Sequence, residues 1–222
     1  MEVSKKRMGR KEEAYDYIKE EIMSNRLRPG AAIREMDIAE ALKMSRTPIR
    51  EALRDLEADG LVVSYTARGV FVTSFTPYDV EEISELRILI ECWSLERGFH
   101  RITEEELDYV QAAFENGWSN QDWNQIHQAD RLLHKIIMEK SGSSRMVQFM
   151  NTLNTQIERV RRVSTQSYGR SQMSYEEHLE IIRCIRSRDL EKSKEALRKH
   201  LQSVGASAIE AARTTEVELK MG

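Results

Sequence analysis

The chain has 222 residues, of which 32% are charged and 7% aromatic, and its formal net charge is −3. This length allows two small domains, each with a core of its own. No apolar run approaches the ~20 residues that span a bilayer, and the N-terminus lacks the apolar core of a signal peptide, so we expect no membrane partner. With three prolines and two cysteines, the composition is typical of a mostly helical protein in a reducing compartment, and we expect a cytoplasmic location.

Three helical patterns open the chain, over residues 11–24, 34–42 and 45–60, and the last two are separated by no more than a turn. Ser45 or Thr47 can cap the third helix. Arg46, Arg50 and Arg54 recur every four residues, so their guanidinium groups project from one outer face. A helix, a tight turn and a second helix with outward arginines is the arrangement that enters the DNA major groove. A surface helix with solvated arginines is the alternative that the spacing leaves open.

Two β-prone runs follow, from Leu61 to Tyr65 and from Val70 to Thr73, and they predict a hairpin. A hairpin directly after a helix-turn-helix makes a winged helix. Arg68 and Gly69 then form the wing tip, where a glycine lets the backbone approach the duplex and an arginine reaches a minor groove or a phosphate. The stretch around residues 75–77 predicts a linker, so we expect domains at 1–76 and 77–222.

Beyond the linker the sequence predicts helices alone. We place six of them, at 78–98, 103–118, 121–140, 143–167, 172–187 and 189–213. Thr103 with Glu106, and Ser174 with Glu177, look like capping boxes. Because short connections favour antiparallel neighbours, the predicted fold class is mostly α, with an N-terminal winged helix-turn-helix and a C-terminal antiparallel all-α bundle of about six helices.

Four polar residues interrupt the apolar stripes of three bundle helices: Asp130, His134, His178 and His200. A buried carboxylate beside imidazoles is costly unless its charge is neutralised, and a divalent metal ion held between facing helices does this. Three imidazoles and one carboxylate suit zinc above all, and also nickel, manganese or iron. The alternative is that each is a hydrogen-bonded core residue.

Residues 39–72 resemble the DNA-binding domain of the GntR family of bacterial transcription regulators. The resemblance is carried by Arg34-Glu35, Ser45-Arg46-Thr47-Pro48, Arg50-Glu51-Ala52-Leu53, Leu56, Gly60-Leu61 and Gly69. It implies that Arg34, Arg46, Thr47, Arg50 and Gly69 face the operator, and that a homodimer reads a short palindrome in double-stranded DNA. With the residues indicated by spacing, the candidate DNA-binding set is Arg34, Ser45, Arg46, Thr47, Arg50, Arg54, Arg68 and Gly69.

Residues 78–212 resemble the FCD ligand-binding domain of one large branch of these regulators, through Asp130-x-x-x-His134, Glu177-His178, His200-Leu201 and Leu86-Arg87 with Glu91. Six helices look like the metal-dependent, vanillate-regulator-like branch. In metal-dependent members these four positions are the metal ligands, and an open coordination site takes the carboxylate of a small organic acid. Leu133 stands where phenylalanine is usual, which puts the shape of the effector pocket in doubt.

We therefore expect a transcription regulator, acting as a repressor, whose operator affinity is controlled by a small carboxylate metabolite at a divalent-metal site. Arg87 is the candidate clamp for the effector carboxylate, with a salt bridge as its alternative role. Arg159, Arg161 and Arg162 predict a solvated charged face.

Two other functions share the metal-type residues. One is a regulator that senses the ion itself. The other is a metallohydrolase with metal-activated water, for which the bundle lacks a general base placed like the glutamate of HExxH. We expect no enzymatic activity.

Overall fold

The structure is a computed structural model that describes residues 9–74, 76–164 and 168–221, and the side chains of 152, 154, 163, 164, 168 and 214–221 are outside the description. Residues 1–8, 75, 165–167 and 222 therefore lie outside the described residues. Residue 75 is the first of the predicted linker, and 165–167 are the last three of the helix predicted at 143–167. The chain divides between residues 75 and 76 into two compact units.

The N-terminal unit is a winged helix-turn-helix. Its elements are α1 (Arg10–Met23), β1 (Ala32–Ile33), α2 (Glu35–Leu42), α3 (Arg46–Ala58), β2 (Val62–Tyr65) and β3 (Gly69–Val72). The strands form an antiparallel sheet in the order β1-β3-β2. Fully buried side chains at Ile18, Ile49, Leu56 and Leu61 hold the three helices and the sheet around one core.

Two tight turns position the surface of this unit. Lys43 adopts a left-handed conformation with φ of 51° at the end of α2, which lets α3 start at once. At the wing, Ala67 and Gly69 have φ of 64° and 101°, so the hairpin reverses within a few residues. Ser45 is the N-cap of α3 as predicted, but its side chain makes no capping hydrogen bond.

The C-terminal unit is all-α over the residues that the structure describes. It consists of α4 (Pro77–Gly98), a short 3-10 helix (Phe99–Arg101), α5 (Glu104–Ser119), α6 (Trp123–Lys140), α7 (Ser144–Ser164), α8 (Tyr168–Arg186) and α9 (Leu190–Met221). The mostly α fold class is confirmed. Helix α9 packs against α4, α7 and α8, and α6 packs against α4 and α5. No helix within the described ranges has the length and apolarity that a bilayer crossing requires.

The predicted capping boxes have different outcomes. Thr103 and Glu106 form one at the start of α5. The prediction for Ser174 and Glu177 is wrong, because α8 begins at Tyr168 and both residues lie inside it. The backbone carbonyl of Ser174 and the side chain of Glu177 instead contact His178 and His200.

Candidate metal centre and DNA-binding surface

Three helices of the C-terminal unit bring Asp130, His134, His178 and His200 together. Asp130 and His134 come from α6, His178 from α8 and His200 from α9. One ligand-type atom of each lies within 4.8 Å of the others, and all four residues are buried. The Asp130 Oδ1 atom is 3.1 Å from Nε2 of His134 and 3.2 Å from Nε2 of His178. The four polar residues that interrupt the apolar stripes of these helices thus form one cluster.

Each imidazole is oriented through its Nδ1 atom. Nδ1 of His178 lies 2.6 Å from the carbonyl oxygen of Ser174, and Nδ1 of His200 lies 2.8 Å from a carboxylate oxygen of Glu177. Nδ1 of His134 bonds to the carboxylate of Glu91. Such outer partners fix the tautomer and ring direction of metal-binding histidines. They leave Nε2 as the remaining nitrogen of each ring.

Every carboxylate in or beside the cluster is paired with an arginine. Arg161 Nε is 3.0 Å from Asp130 Oδ2 and Arg87 Nε is 2.8 Å from Glu91 Oε1. A terminal nitrogen of Arg170 is 2.8 Å from Glu177 Oε2. Buried carboxylates need such partners to remain ionised.

The arginines determine the protonation of the acids. Burial raises the pKa of Asp130, but the charge of Arg161 and the neighbouring imidazoles of His134 and His178 lower it well below its ordinary value. Burial likewise raises the pKa of Glu91, and the charges of Arg87 and His134 more than reverse this. Burial, together with the neighbouring His178 and His134, lowers the pKa of His200 well below its ordinary value, so this imidazole is neutral. For Asp130 and His200 these are the forms that bind metals. Burial lowers the pKa of His134, but Glu91 and Asp130 raise it above its ordinary value, so His134 has to release a proton to bind an ion.

The prediction of a solvated face for the arginines of α7 is wrong for two of the three. Arg161 is the ion-pair partner of Asp130. Arg159 is 9% exposed, and burial lowers its pKa to about 10. Only Arg162, with 40% of its side chain exposed, fits the prediction. The signal that could have found Arg161 is its i,i+4 spacing from Ile157, which is buried on the same helix face.

The residues present fit a divalent cation. Nε2 of His134 is buried, and among the described residues it has no partner in hydrogen-bonding geometry, although Asp130 is near. A cavity of about 30 Å³ borders Asp130, His178 and His200. It is too small for an organic molecule and is above the ~10–15 Å³ that a single water requires. The donor set of three imidazoles and one carboxylate is suited to zinc and related ions.

A larger cavity of about 550 Å³ adjoins His134. Its walls include the basic side chains of Arg87, Arg131 and Arg161 and the apolar side chains of Met138 and Met150. Arg87 borders both cavities. Its Nε is used by Glu91, whereas its buried Nη2 atom has no hydrogen-bond partner within the described part of the chain. Arg87 can therefore keep its salt bridge with Glu91 and still offer Nη2 to the carboxylate of a ligand.

All eight candidate DNA-binding residues of the N-terminal unit are exposed. Arg34 is the N-cap of α2, Ser45 is the N-cap of α3, and Arg68 and Gly69 lie at the wing. Thr47 and Arg54 lie on α3 with Arg46 and Arg50. The structure adds a residue that the sequence did not single out, because Glu35 lies within 2.9 Å of both Arg46 and Arg50.

A winged helix-turn-helix and a helical unit with a buried histidine–aspartate cluster define a two-domain DNA-binding protein whose second domain carries a candidate metal site. Residues 10–72 match the gntR family of bacterial regulatory proteins, and residues 82–203 match the FCD domain. The chain belongs to the GntR family of transcription regulators and carries an FCD domain.

Curated relatives of similar length agree with this assignment. The HTH-type transcriptional regulator YdhC of Bacillus subtilis (strain 168) is 28% identical over 194 residues, which are 84% of this chain and 84% of YdhC. The HTH-type transcriptional repressor RspR of Escherichia coli (strain K12) is 23% identical over 88% of this chain and 87% of its own length. Because the family and these relatives are transcription regulators, the metallohydrolase alternative is removed.

Two solved structures are informative. A GntR regulator from Rhodococcus sp. RHA1 has a TM-score of 0.74 and 23% identity, covers 92% of this chain and 99% of its own, and supports the fold. The FCD domain of TM0439, solved with Zn²⁺ bound, has a TM-score of 0.57 and 28% identity over 63% of this chain and 98% of that one. The same domain is also known in a metal-free form.

Proposed function

We propose that this regulator is a metal-dependent repressor whose affinity for its operator is controlled by a small organic acid. The observation that carries the proposal is the convergence of Asp130, His134, His178 and His200 with every Nδ1 atom already engaged. Zinc is the first candidate for the ion, with nickel, manganese and iron as alternatives. The zinc-bound FCD domain of TM0439 supports this choice.

The four side chains would hold the ion, which supplies a positive charge and an open coordination position to a ligand carboxylate. Arg87 would bind the same carboxylate, because its buried Nη2 lacks a hydrogen-bond partner among the described residues and the residue borders both cavities. A guanidinium engaged through Nε keeps its terminal nitrogens for a second, charge-assisted hydrogen bond. The apolar wall at Met138 and Met150 suits the carbon skeleton of a small acid.

In the N-terminal unit, α3 would enter the major groove, with Arg46 and Arg50 at base edges and Arg34, Ser45, Thr47 and Arg54 at bases or phosphates. Arg68 and Gly69 at the wing would approach the minor groove or the backbone. The net charge of −3 gives no broad electrostatic attraction, so tight binding depends on two recognition helices acting together on a palindrome.

A homodimer would supply the second recognition helix. Leu89 is 69% exposed and Trp93, one turn later on α4, is 40% exposed. Adjacent exposed apolar side chains are typical of a surface that a partner covers, and we assign this face to a second copy of the chain. We place the protein in the cytoplasm and name it a repressor by analogy with RspR.

Ligand control then requires that the organic acid bind one conformation of the dimer better than the other. The coupling free energy is typically ~1–3 kcal/mol, which changes operator affinity about 5- to 150-fold. The expected change is in the relative placement of the two recognition helices.

The test is a titration of operator affinity with zinc, in the presence and absence of a panel of small mono-, di- and tricarboxylates. We expect zinc alone to have little effect and one acid to change the affinity in the presence of zinc, with this acid-dependent change lost in the Arg87→Ala variant. A full response to zinc without any acid would instead favour the ion as the effector. No response to any combination would contradict the sensing role of the site.

A further inference from the structure

The carboxylate of Glu35 joins two arginines of the proposed recognition helix. Glu35 is the first residue of α2, and Arg46 and Arg50 lie on α3. Arg46 donates from Nε and Nη2 to Oε2 of Glu35, at 2.9 and 2.7 Å. Arg50 donates from Nε to both carboxylate oxygens, each at 2.9 Å. The side chain of Glu35 is 21% exposed, against 53% and 58% for the arginines, so the acid lies on the inner side of the cluster.

The two arginines use different atoms in this contact. Arg46 binds with Nε and one terminal nitrogen, whereas Arg50 binds with Nε alone. In the described part of the chain, no acceptor engages the terminal nitrogens of Arg50. These two nitrogens form the fork that matches O6 and N7 of guanine. The contact with Glu35 therefore restrains the guanidinium of Arg50 and leaves its base-reading edge free.

The same contact changes the charge of this surface. Arg46 and Arg50 are four residues apart on one helix, where like charges repel. Burial raises the pKa of Glu35, but the hydrogen bonds and charges of Arg50 and Arg46 lower it below its ordinary value. The acid is therefore ionised at neutral pH, and it offsets part of the positive charge that would attract any phosphate backbone.

We propose that Glu35 is a positioning residue that determines the sequence specificity of DNA binding, by orienting Arg50 toward a base pair and by weakening contacts with DNA of other sequence. The assignment rests on the proposed function in one respect, the entry of α3 into the major groove.

The test uses the full-length protein and two duplexes, one obtained by selection from random sequence and one with the same bases in scrambled order. Fluorescence anisotropy at a fixed salt concentration gives the ratio of the two affinities for wild type and for Glu35→Gln, which keeps the shape of the side chain and removes its charge. The control is Glu40→Gln on the same helix, since Glu40 is exposed and makes no ion pair with the residues that the structure describes. Both variants lose one negative charge.

For Glu35→Gln we expect the specificity ratio to fall about ten-fold, in the range that one bidentate base contact supplies, through tighter binding of the scrambled duplex and weaker binding of the selected one. Glu40→Gln should keep the ratio within about two-fold, as expected for an exposed charge away from the contact. A ratio unchanged by Glu35→Gln, or reduced equally by both variants, overturns the proposal.

Repeating the selection from random sequence with Arg50→Ala, and with the double variant of Glu35→Gln and Arg50→Ala, distinguishes an effect through Arg50 from a purely structural role of Glu35. The proposal requires that Glu35→Gln relax the base pair that Arg50→Ala relaxes, and that the double variant discriminate at this base pair no less than Arg50→Ala alone. Relaxation at another base pair instead, or additive losses at this one, contradicts it. If Arg50→Ala itself leaves every base preference intact, the assignment of α3 as recognition helix fails, which is a different result from a failure of Glu35→Gln alone.

Discussion

Hydrogen bonds to the Nδ1 atoms of the clustered histidines determine how well these rings can bind an ion. Glu177 accepts from Nδ1 of His200 and is itself paired with Arg170, so the ring of His200 is held in one direction. Glu91 likewise orients the ring of His134 and is itself paired with Arg87. Because the rings are preoriented, little conformational entropy is lost when they bind a metal.

We therefore expect Glu177→Gln to weaken zinc binding about 10- to 100-fold, the usual effect of removing such an outer partner. Competition with a chromogenic chelator measures the affinity. Glu176→Gln, which alters the exposed neighbour on the same helix, should leave it unchanged. Equal affinities for wild type and Glu177→Gln would contradict the orienting role.

Arg161 supplies the positive charge that Asp130 needs in the absence of metal. Its replacement in Arg161→Met leaves a buried carboxylate without its arginine, which costs about 3–5 kcal/mol in comparable buried pairs. We expect the free energy of unfolding of metal-free protein to fall by about this amount in urea titrations, and zinc to restore part of the loss by replacing the charge. A variant as stable as wild type without metal would show that Asp130 does not depend on Arg161.

The ligand positions could be predicted from sequence because they follow helical periodicity within each helix. The pairing of Arg161 with Asp130 could not, because the two residues lie on different helices and a run of arginines predicts a solvated face. The spacing of Arg161 from the buried Ile157 indicates only that it lies on an inner helix face, without naming its partner. Only the packing of α7 against α9 and α6 makes the pair evident.

At the level of elements, the ends of helices show both the strength and the limit of sequence patterns. Thr103 and Glu106 cap α5 as predicted, because their contact is local. Ser174 and Glu177 have the same spacing but lie within α8, where the backbone of Ser174 and the side chain of Glu177 orient two histidines. Strand β1 was not predicted, since its two residues are too few to form a pattern.

The capping box of α5 should make the stability of the protein depend on pH. Burial raises the pKa of Glu106, but the hydrogen bonds with Lys140 and Thr103 lower it below its ordinary value. A carboxylate with a lowered pKa in the folded state stabilises above its unfolded pKa of about 4.3, and this stabilisation is lost as the pH falls through the folded value. We expect Glu106→Gln to be less stable than wild type near neutral pH, by up to about 1 kcal/mol. The difference should shrink toward acidic pH, and a difference that stays constant with pH would contradict this assignment.

Two helices approach closely at Gly98, at the end of α4. A Cβ atom built there would lie 2.5 Å from the carbonyl carbon of Lys140, which is backbone and cannot move aside easily. We expect Gly98→Ala to destabilise the helical unit by about 1–3 kcal/mol. Gly169→Ala is the matched control: it lies in α8 with open space around its Cβ position, and it should stabilise by up to about 1 kcal/mol. Thermal unfolding measures both, and a neutral Gly98→Ala would show that the two helices can separate.

At the scale of the whole molecule, the proposed binding to a palindrome requires two copies of the chain. If the face with Leu89 and Trp93 joins them, Leu89→Glu should shift sedimentation from dimer toward monomer, because an unpaired charge would enter the interface. Met36→Glu, equally exposed at 69% but in the N-terminal unit, should remain dimeric. A dimeric Leu89→Glu protein would place the interface elsewhere.

The overall architecture was accessible from sequence because both halves have dense local signals: a short helix pair with a hairpin, and six amphipathic helices with clear ends. A DNA-binding unit together with a buried polar cluster is the basis for the proposal that this regulator links an ion and an organic acid to operator binding. The contacts on which this proposed control depends include ion pairs such as those of Glu35 and Arg161, whose partners lie on other elements.

A calorimetric titration of metal-free, full-length protein with zinc tests the central claim most directly. We expect one zinc ion per chain for wild type and for His100→Ala, an exposed histidine away from the cluster. For His178→Ala we expect binding weakened more than about 100-fold, or lost, since a ligand contributes more than an outer partner does. Unchanged zinc affinity and stoichiometry in His178→Ala would contradict the proposed metal centre.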